Sequence, residues 1–190
     1  MNGGCCAPRA VIVLVDNNVV LVDKDDKEVG IEEKLRAHQN GGHLHRAFSI
    51  FVFNSKGETM LQRRAIGKYH GGGLWTNTTC SHPRPGEGII DAAHRRLKEE
   101  MGFDCEINEV FNFVYRADMG NGLTEHEYDH VIFGRFEGKP KPNPDEVSDW
   151  KWIKLESLAQ DVDKDPAKYS PWLKIAMDKV VREHKRVYGR

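Results

Sequence analysis

The segment that most constrains the fold is "GIIDAAHRRLKEEMG", Gly88 to Gly102. Most of the chain alternates like strands, but here the apolar residues recur at helical spacing. At about 100° per residue, Ile89, Ile90, Ala93, Leu97 and Met101 share one arc about 120° wide, and Gly102 is placed to cap the end. Glu100 lies inside that arc, whereas Glu99 points away from it. A carboxylate on a core-facing stripe is costly unless a cation or donors meet it. Glu100 therefore either serves an interior site or pairs with Arg96 one turn earlier as an i,i+4 couple.

Strand patterns surround this helix. "AVIVLV" and "VVLVDK" flank Asp16-Asn17-Asn18 and predict a hairpin. Residues 29–45 lose the strand signal, and Gly41-Gly42 marks a flexible connection. "RAFSIFVFN" and "ETMLQRR" read as strands around Ser55-Lys56-Gly57, and a glycine-rich loop, "GKYHGGG", leads to the strand "LWTNTTC". After the helix come two long strands, "EINEVFNFVYRAD" and "TEHEYDHVIFGRFEG", turning at Gly120-Asn121-Gly122. "KPKPNPDE" has no room for regular structure. "DWKWIKL" is a last strand, with Trp150 and Trp152 assigned to packing, and a helix follows Ser170-Pro171. Mostly β with an internal helix and a helical C-terminal region, this order predicts an α+β fold.

The 190 residues are expected to form one domain, 1–190, with residues 1–10 as a loose N-terminal segment. A net charge of −1 argues against a broad grip on nucleic acid or an anionic membrane. No run of about 18 apolar residues is present, and the start lacks the features of a secretory signal. Four cysteines, Cys5, Cys6, Cys80 and Cys105, are irregularly spaced and suggest no disulfide framework, so the expected location is cytoplasmic. The sequon Asn77-Thr78-Thr79 would then go unglycosylated.

Spacing selects among the nine histidines. Glu125 and Glu127 are two apart on a strand and project from one face. Cys80 and His82 are related in the same way, and His38 and His45 flank the Gly-Gly connection. Together they could bind Mn²⁺, Mg²⁺ or Zn²⁺, since mixed nitrogen and oxygen ligands do not select one ion. Taken singly, these residues also read as exposed loop histidines and a solvated strand face, and Cys80 as a small buried hydrophobe. His43, His70, His94, His126, His130 and His184 are assigned no function, although His43 is an extra potential ligand beside His45.

"GEGIIDAAHRRLKEEMGF" resembles the Nudix box, a loop–helix–loop that holds Mg²⁺ and a diphosphate through its glutamates. Glu87, Arg95, Leu97, Glu99, Glu100 and Gly102 match, while Ser81 replaces the leading glycine and Arg96 the first helix glutamate. That loss weakens a hydrolase reading. "AHQNGGHLHRAFSIFVFN", "LQRRAIGKYHGGGLWTNTTCSHP", "YRAD", "EHEYD" and "SPWL" then occur in the order seen in type 1 isopentenyl-diphosphate Δ-isomerases, from Val29 to Leu173.

The resemblance implies a Nudix-like fold, mixed and antiparallel sheets with helices packed around them. It also implies interconversion of isopentenyl and dimethylallyl diphosphate, by a monomer or weak homodimer that needs neither nucleic acid nor membrane. Cys80 and Glu127 match the acid–base pair, Tyr115 the polarising neighbour of Glu127, and Trp172 the aromatic wall beside the cation; Trp75 could also line the pocket. His38, His45, His82, Glu125 and Glu127 match the ligands of one divalent ion. Glu100 with the Cys80 carbonyl would hold a Mg²⁺ travelling with the diphosphate, which Lys34, Arg64, Lys68 and Arg96, together with Ser81, would bind. Relatives often have aromatic-Pro-Gly where this chain has Gly71-Gly72-Gly73, so that loop is expected to be more mobile.

Overall fold

The structure, a computed structural model, describes residues 17–68 and 70–189. The expected loose segment 1–10, the strand expected over 10–15 and the Cys5-Cys6 pair lie outside the described residues. The chain forms β1 (Asn18–Val22), β2 (Glu28–Glu33), α1 (Lys34–Ala37), β3 (His45–Phe53), β4 (Glu58–Arg64), β5 (Trp75–Thr76) and β6 (Thr79–Ser81). It continues with α2 (Ile89–Arg96), β7 (Ile107–Gly120), β8 (Leu123–Arg135), β9 (Val147–Lys154), α3 (Leu155–Lys164) and α4 (Pro171–Tyr188). The expected α+β order is what forms. Among the described residues no helix is long and apolar enough to cross a membrane.

The sequence "HRAFSIFVF" explains the centre of the sheet. β3 is buried along nearly its whole length, with Phe48, Ile50 and Val52 facing one layer and Phe51 and Phe53 the other. A strand covered on both faces reads as a continuous apolar run and suits a parallel neighbour. β8 is that neighbour, paired in parallel from His45↔Glu127 to Phe53↔Arg135, and β7 pairs antiparallel with β8. On one side Phe51, Phe53, Val131 and Phe133 pack against Leu158 of α3 and Leu173 and Met177 of α4. On the other, Phe48, Ile50 and Met60 pack against Ala92, Ala93, Leu97 and Met101. Burying a large apolar side chain of this kind contributes about 1.5–3 kcal/mol.

Three local expectations need correction. Glu28–Glu33 is a strand despite its charges, because β2 lies at the edge of the sheet and pairs through its backbone with β1. "LWTNTTC" breaks into β5 and β6. Between β3 and β4 only Phe53 and Thr59 pair, and side chains of the intervening residues fill the gap. The Thr78 hydroxyl donates to the Met60 carbonyl (2.7 Å) and accepts from the Val52 amide (3.0 Å). Asn77 Nδ2 donates to the Thr79 carbonyl (2.8 Å). The helix also turns slightly from its expected phase. Ala92 is buried, whereas Ile90 is 37% exposed. The last turn, Leu97–Met101, is a π-helix that buries Leu97, Glu100 and Met101 and ends at Gly102 with φ 68°. A Cβ on Gly102 would lie 2.2 Å from the Lys141 carbonyl oxygen, so glycine is required there.

Candidate active site

Strand register assembles the site. Glu125 and Glu127 project from one face of β8. Glu127 lies opposite His45 on β3 and opposite Tyr115 on β7. β6 pairs antiparallel with β3, setting Cys80 beside Ser49, and His82 follows directly after the strand. Glu33 caps α1 by accepting from the Leu35 and Arg36 amides (3.1 and 3.0 Å), and His38 stands at the helix C-terminus.

The ligand atoms of His38, His45, His82, Glu125 and Glu127 all lie within 4.8 Å of one another. His38 Nδ1–H donates to the Lys34 carbonyl (2.6 Å) and His45 Nδ1–H to the His43 carbonyl (2.8 Å). A carbonyl only accepts, so these contacts fix the ring orientations and aim both Nε2 atoms at the cluster. There His38 Nε2 is 2.8 Å from Glu125 Oε2, and His82 Nε2 is 2.9 Å from Glu127 Oε1 and 3.1 Å from His45 Nε2. Three imidazoles and two carboxylates converging on one point fit a divalent cation. This cluster could hold a metal ion.

Burial shapes the charge states. It works to raise the Glu125 carboxyl, but hydrogen bonds from His38 and His70 outweigh it and hold the group well below the usual range. Burial and the nearby Glu125 also oppose ionisation of Glu127, yet the adjoining His45 and His82 imidazoles keep its carboxyl low. Burial pushes His82 down to about 3 and the Cys80 thiol up to about 12. The thiol is therefore protonated even with Arg64 Nη1 3.7 Å from Sγ. The Tyr115 hydroxyl, driven well above its ordinary value by burial and the Glu127 charge, donates to Glu127 Oε2 at 2.7 Å.

Cys80, Glu127, Glu125, His82 and Trp172 line one small cavity of about 60 Å³, with Lys34, Arg64, Lys68, Ser81 and Arg96 around it. A cavity of about 320 Å³ shares Lys34, Lys68, Ser81, His82 and Arg96 and adds Arg84 and Arg95. The two form an inner chamber with a basic vestibule. Trp172, the second residue of α4, is anchored by its indole N–H, which donates to the Thr76 hydroxyl at 2.8 Å. Burial lowers Lys34 and takes Lys68 down to about 8.

The i,i+4 pairing of Glu100 with Arg96 forms. The Glu100 carboxylate is buried, and it accepts from Arg96 Nη2 at 2.6 Å and from Gln62 Nε2 at 2.7 Å. Arg96 also reaches Glu99 (2.7 Å) and Glu146 (3.2 Å). Trp75 is not among the residues lining the inner cavity; it packs beside the α3–α4 layer with the Lys151 ammonium 4.4 Å over its ring. His43 is exposed and pairs with Glu32.

Three residues escaped the sequence reading. His70, assigned no function, is buried in the inner cavity with Nε2 2.7 Å from Glu125 Oε1. Glu146 pairs with both Lys68 and Arg96 in the vestibule. Asp129 is buried two residues beyond Glu127, accepts from the Ser49 hydroxyl at 2.8 Å, and is pushed up by burial and by Glu127. Its two-residue spacing from Glu127 was a legible signal. His70 and Glu146 reach the site from loops, where periodicity carries no information.

The sequence model of the NUDIX domain matches residues 43–173. Isopentenyl-diphosphate Delta-isomerase 2 of Aromatoleum aromaticum is 58% identical over 167 residues, covering 88% of each chain. Isopentenyl-diphosphate Delta-isomerase 2 of Photorhabdus laumondii is 53% identical over 160 residues, 84% of this chain and 90% of that one. Among solved structures, DR0079 from Deinococcus radiodurans superposes with a TM-score of 0.65 at 19% identity, covering 77% of this chain and 89% of that one, which establishes the fold. The chain belongs to the Nudix superfamily and, within it, to the isopentenyl-diphosphate Delta-isomerases.

Proposed function

We propose that this protein interconverts isopentenyl and dimethylallyl diphosphate, with Cys80 and Glu127 as the proton-transferring pair. The observation that carries this reading is the inner chamber, where a protonated thiol, an ionised carboxylate and an indole share one wall system beside a cationic mouth. The reaction adds a proton to the terminal methylene carbon, whose π electrons form the new C–H bond. A tertiary cation is left at the branched carbon. Loss of a proton from the adjacent CH₂ supplies the electrons of the new double bond. One member of the pair gives a proton and the other takes one, so the pair's proton count is unchanged.

The other residues take supporting roles. Tyr115 holds Glu127 through its hydroxyl, and the Trp172 π face stabilises the passing positive charge, an effect worth about 2 kcal/mol when desolvated. Lys34, Arg64, Lys68 and Arg96, with Ser81, bind the diphosphate, arginine by paired donors and lysine as a point charge. Glu100, with the Cys80 carbonyl, is assigned to a Mg²⁺ that accompanies the diphosphate. His38, His45, His82, Glu125 and Glu127 would hold a second divalent ion, Mn²⁺, Mg²⁺ or Zn²⁺, which when bound supplies fixed positive charge that polarises the Glu127 carboxylate. A working free thiol suits a reducing, cytoplasmic setting.

A nucleotide-type Nudix hydrolase is the competing function. Incubation with isopentenyl diphosphate and Mg²⁺ should yield dimethylallyl diphosphate, take up deuterium from D₂O and release no phosphate. Cys80→Ala should lose at least 10²–10⁴-fold in kcat, the range for a positioned acid or base. Phosphate release without isomer would overturn the proposal.

A further inference from the structure

Glu125 divides its two oxygens between two histidines. Oε2 faces His38 Nε2 at 2.8 Å, inside the ligand cluster, while Oε1 faces His70 Nε2 at 2.7 Å, outside it. An ionised carboxylate only accepts, so His70 Nε2–H is the donor. His70 is held through both its backbone and its ring. Arg64 Nη2 donates to its backbone carbonyl at 3.1 Å. The ring stacks on His38 at 5.5 Å between centroids with planes 28° apart, and meets Trp172 edge-on at 6.3 Å and 85°.

From this geometry we infer that His70 is a positioning residue. It fixes the rotation of the Glu125 carboxylate so that one oxygen stays aimed at the metal cluster, and its ring closes the chamber between Glu125 and Trp172. The loop between β4 and β5 carries both His70 and Lys68, so one short segment touches the metal cluster and the basic vestibule. The loop's own shape supports this placement. A Cβ on Gly72 would lie 2.5 Å from the Ile66 carbonyl oxygen, and one on Gly71 would lie 3.3 Å from Arg64 Nε and 3.7 Å from the Trp172 ring. Glycine at these positions lets the loop fold tightly enough for His70 to reach inward. An outer-shell donor to a ligating group typically accounts for about 10–100-fold in metal affinity.

The inference rests on the reading that the His/Glu cluster binds a divalent ion, and the test separates the two. Mn²⁺ affinity is measured by competition with a chromophoric chelator for the wild-type protein, His70→Phe and His70→Gln, each checked for folding by thermal melting. Phenylalanine keeps the ring but removes the donor, whereas glutamine keeps a donor but removes the ring. His70→Phe should bind Mn²⁺ about 10–100-fold more weakly than wild type, and His70→Gln should recover part of the loss. If His70→Phe binds as tightly as wild type, or if His70→Gln is the weaker of the two, His70 is only a wall and the inference is overturned. A wild-type protein that binds no Mn²⁺ would overturn the metal reading and this inference with it.

Discussion

Lys68 is the residue whose surroundings most directly set a measurable property of the site. Burial, countered by Glu100 and reinforced by Arg64, Arg96 and Lys34, brings its ammonium down to about 8. Its partner Glu146 also pairs with Arg96, so a carboxylate already occupies the cations assigned to the diphosphate. Lys68 is charged below pH 8 and neutral above it. Attraction for an anionic head group is therefore present at neutral pH and fades as pH rises. The Cys80 thiol does not follow, because it stays protonated up to about 12. Since kcat/KM reports groups of the free enzyme, it should fall above about pH 8 while kcat shows no loss across the ordinary thiol range near 8.5. Lys68→Arg, charged throughout, should remove that alkaline limb. A limb of the same position and depth in Lys68→Arg would assign it to another group.

At the scale of elements, the loop leading into α2 is fastened by one carboxylate. Glu87 accepts from Arg95 Nε and Nη2, both at 2.7 Å, and from the Arg84 amide at 2.8 Å. Hydrogen bonds from Arg95 hold its carboxyl below the ordinary 4.5, against burial. A depressed carboxyl adds stability that is fully present above its unfolded value and is lost as pH falls through the folded one. Glu87→Gln should thus destabilise the protein by about 1–2 kcal/mol at pH 7, discounted for partial exposure, and the gap to wild type should narrow in acid, once pH falls below the ordinary carboxyl value of 4.5. Chemical denaturation at pH 7 and at acid pH measures it; an equal gap under both conditions would mean the pair contributes by packing alone. Much of this helix was legible from sequence. The inward Glu100, the Gly102 stop and the outward Glu99 follow from a 3.6-residue period. The π turn and the burial of Ala92 in place of Ile90 were not, because they depend on how closely the helix approaches Phe48 and Ile50. The two carboxylates of β8 were legible from a period of two. His70 and Glu146 were not, because a loop residue's position is set by contacts made elsewhere.

Across the whole molecule, the His/Glu cluster joins segments that the chain keeps far apart. His38 ends α1, His45 opens β3, His82 follows β6, and Glu125 and Glu127 lie on β8; His38 and Glu125 are separated by 87 residues. In an unfolded chain these ligands do not converge, so an ion that binds the cluster binds the folded state and stabilises it by mass action. At 100 times Kd this is about 2.7 kcal/mol. For a chain of this size each kcal/mol moves Tm by about 2–4 °C, so chelation of bound metal should lower Tm by about 5–10 °C and added Mn²⁺ should restore it. His82→Gln tests where the ion sits. His82 approaches both Glu127 and His45 and is held near neutrality by burial, so its replacement removes a central ligand. The variant should start at a lower Tm and respond little to chelator or to Mn²⁺. If it responds as fully as wild type, the stabilising ion binds elsewhere, with the Glu99–Glu100 end of the Nudix helix the next place to substitute.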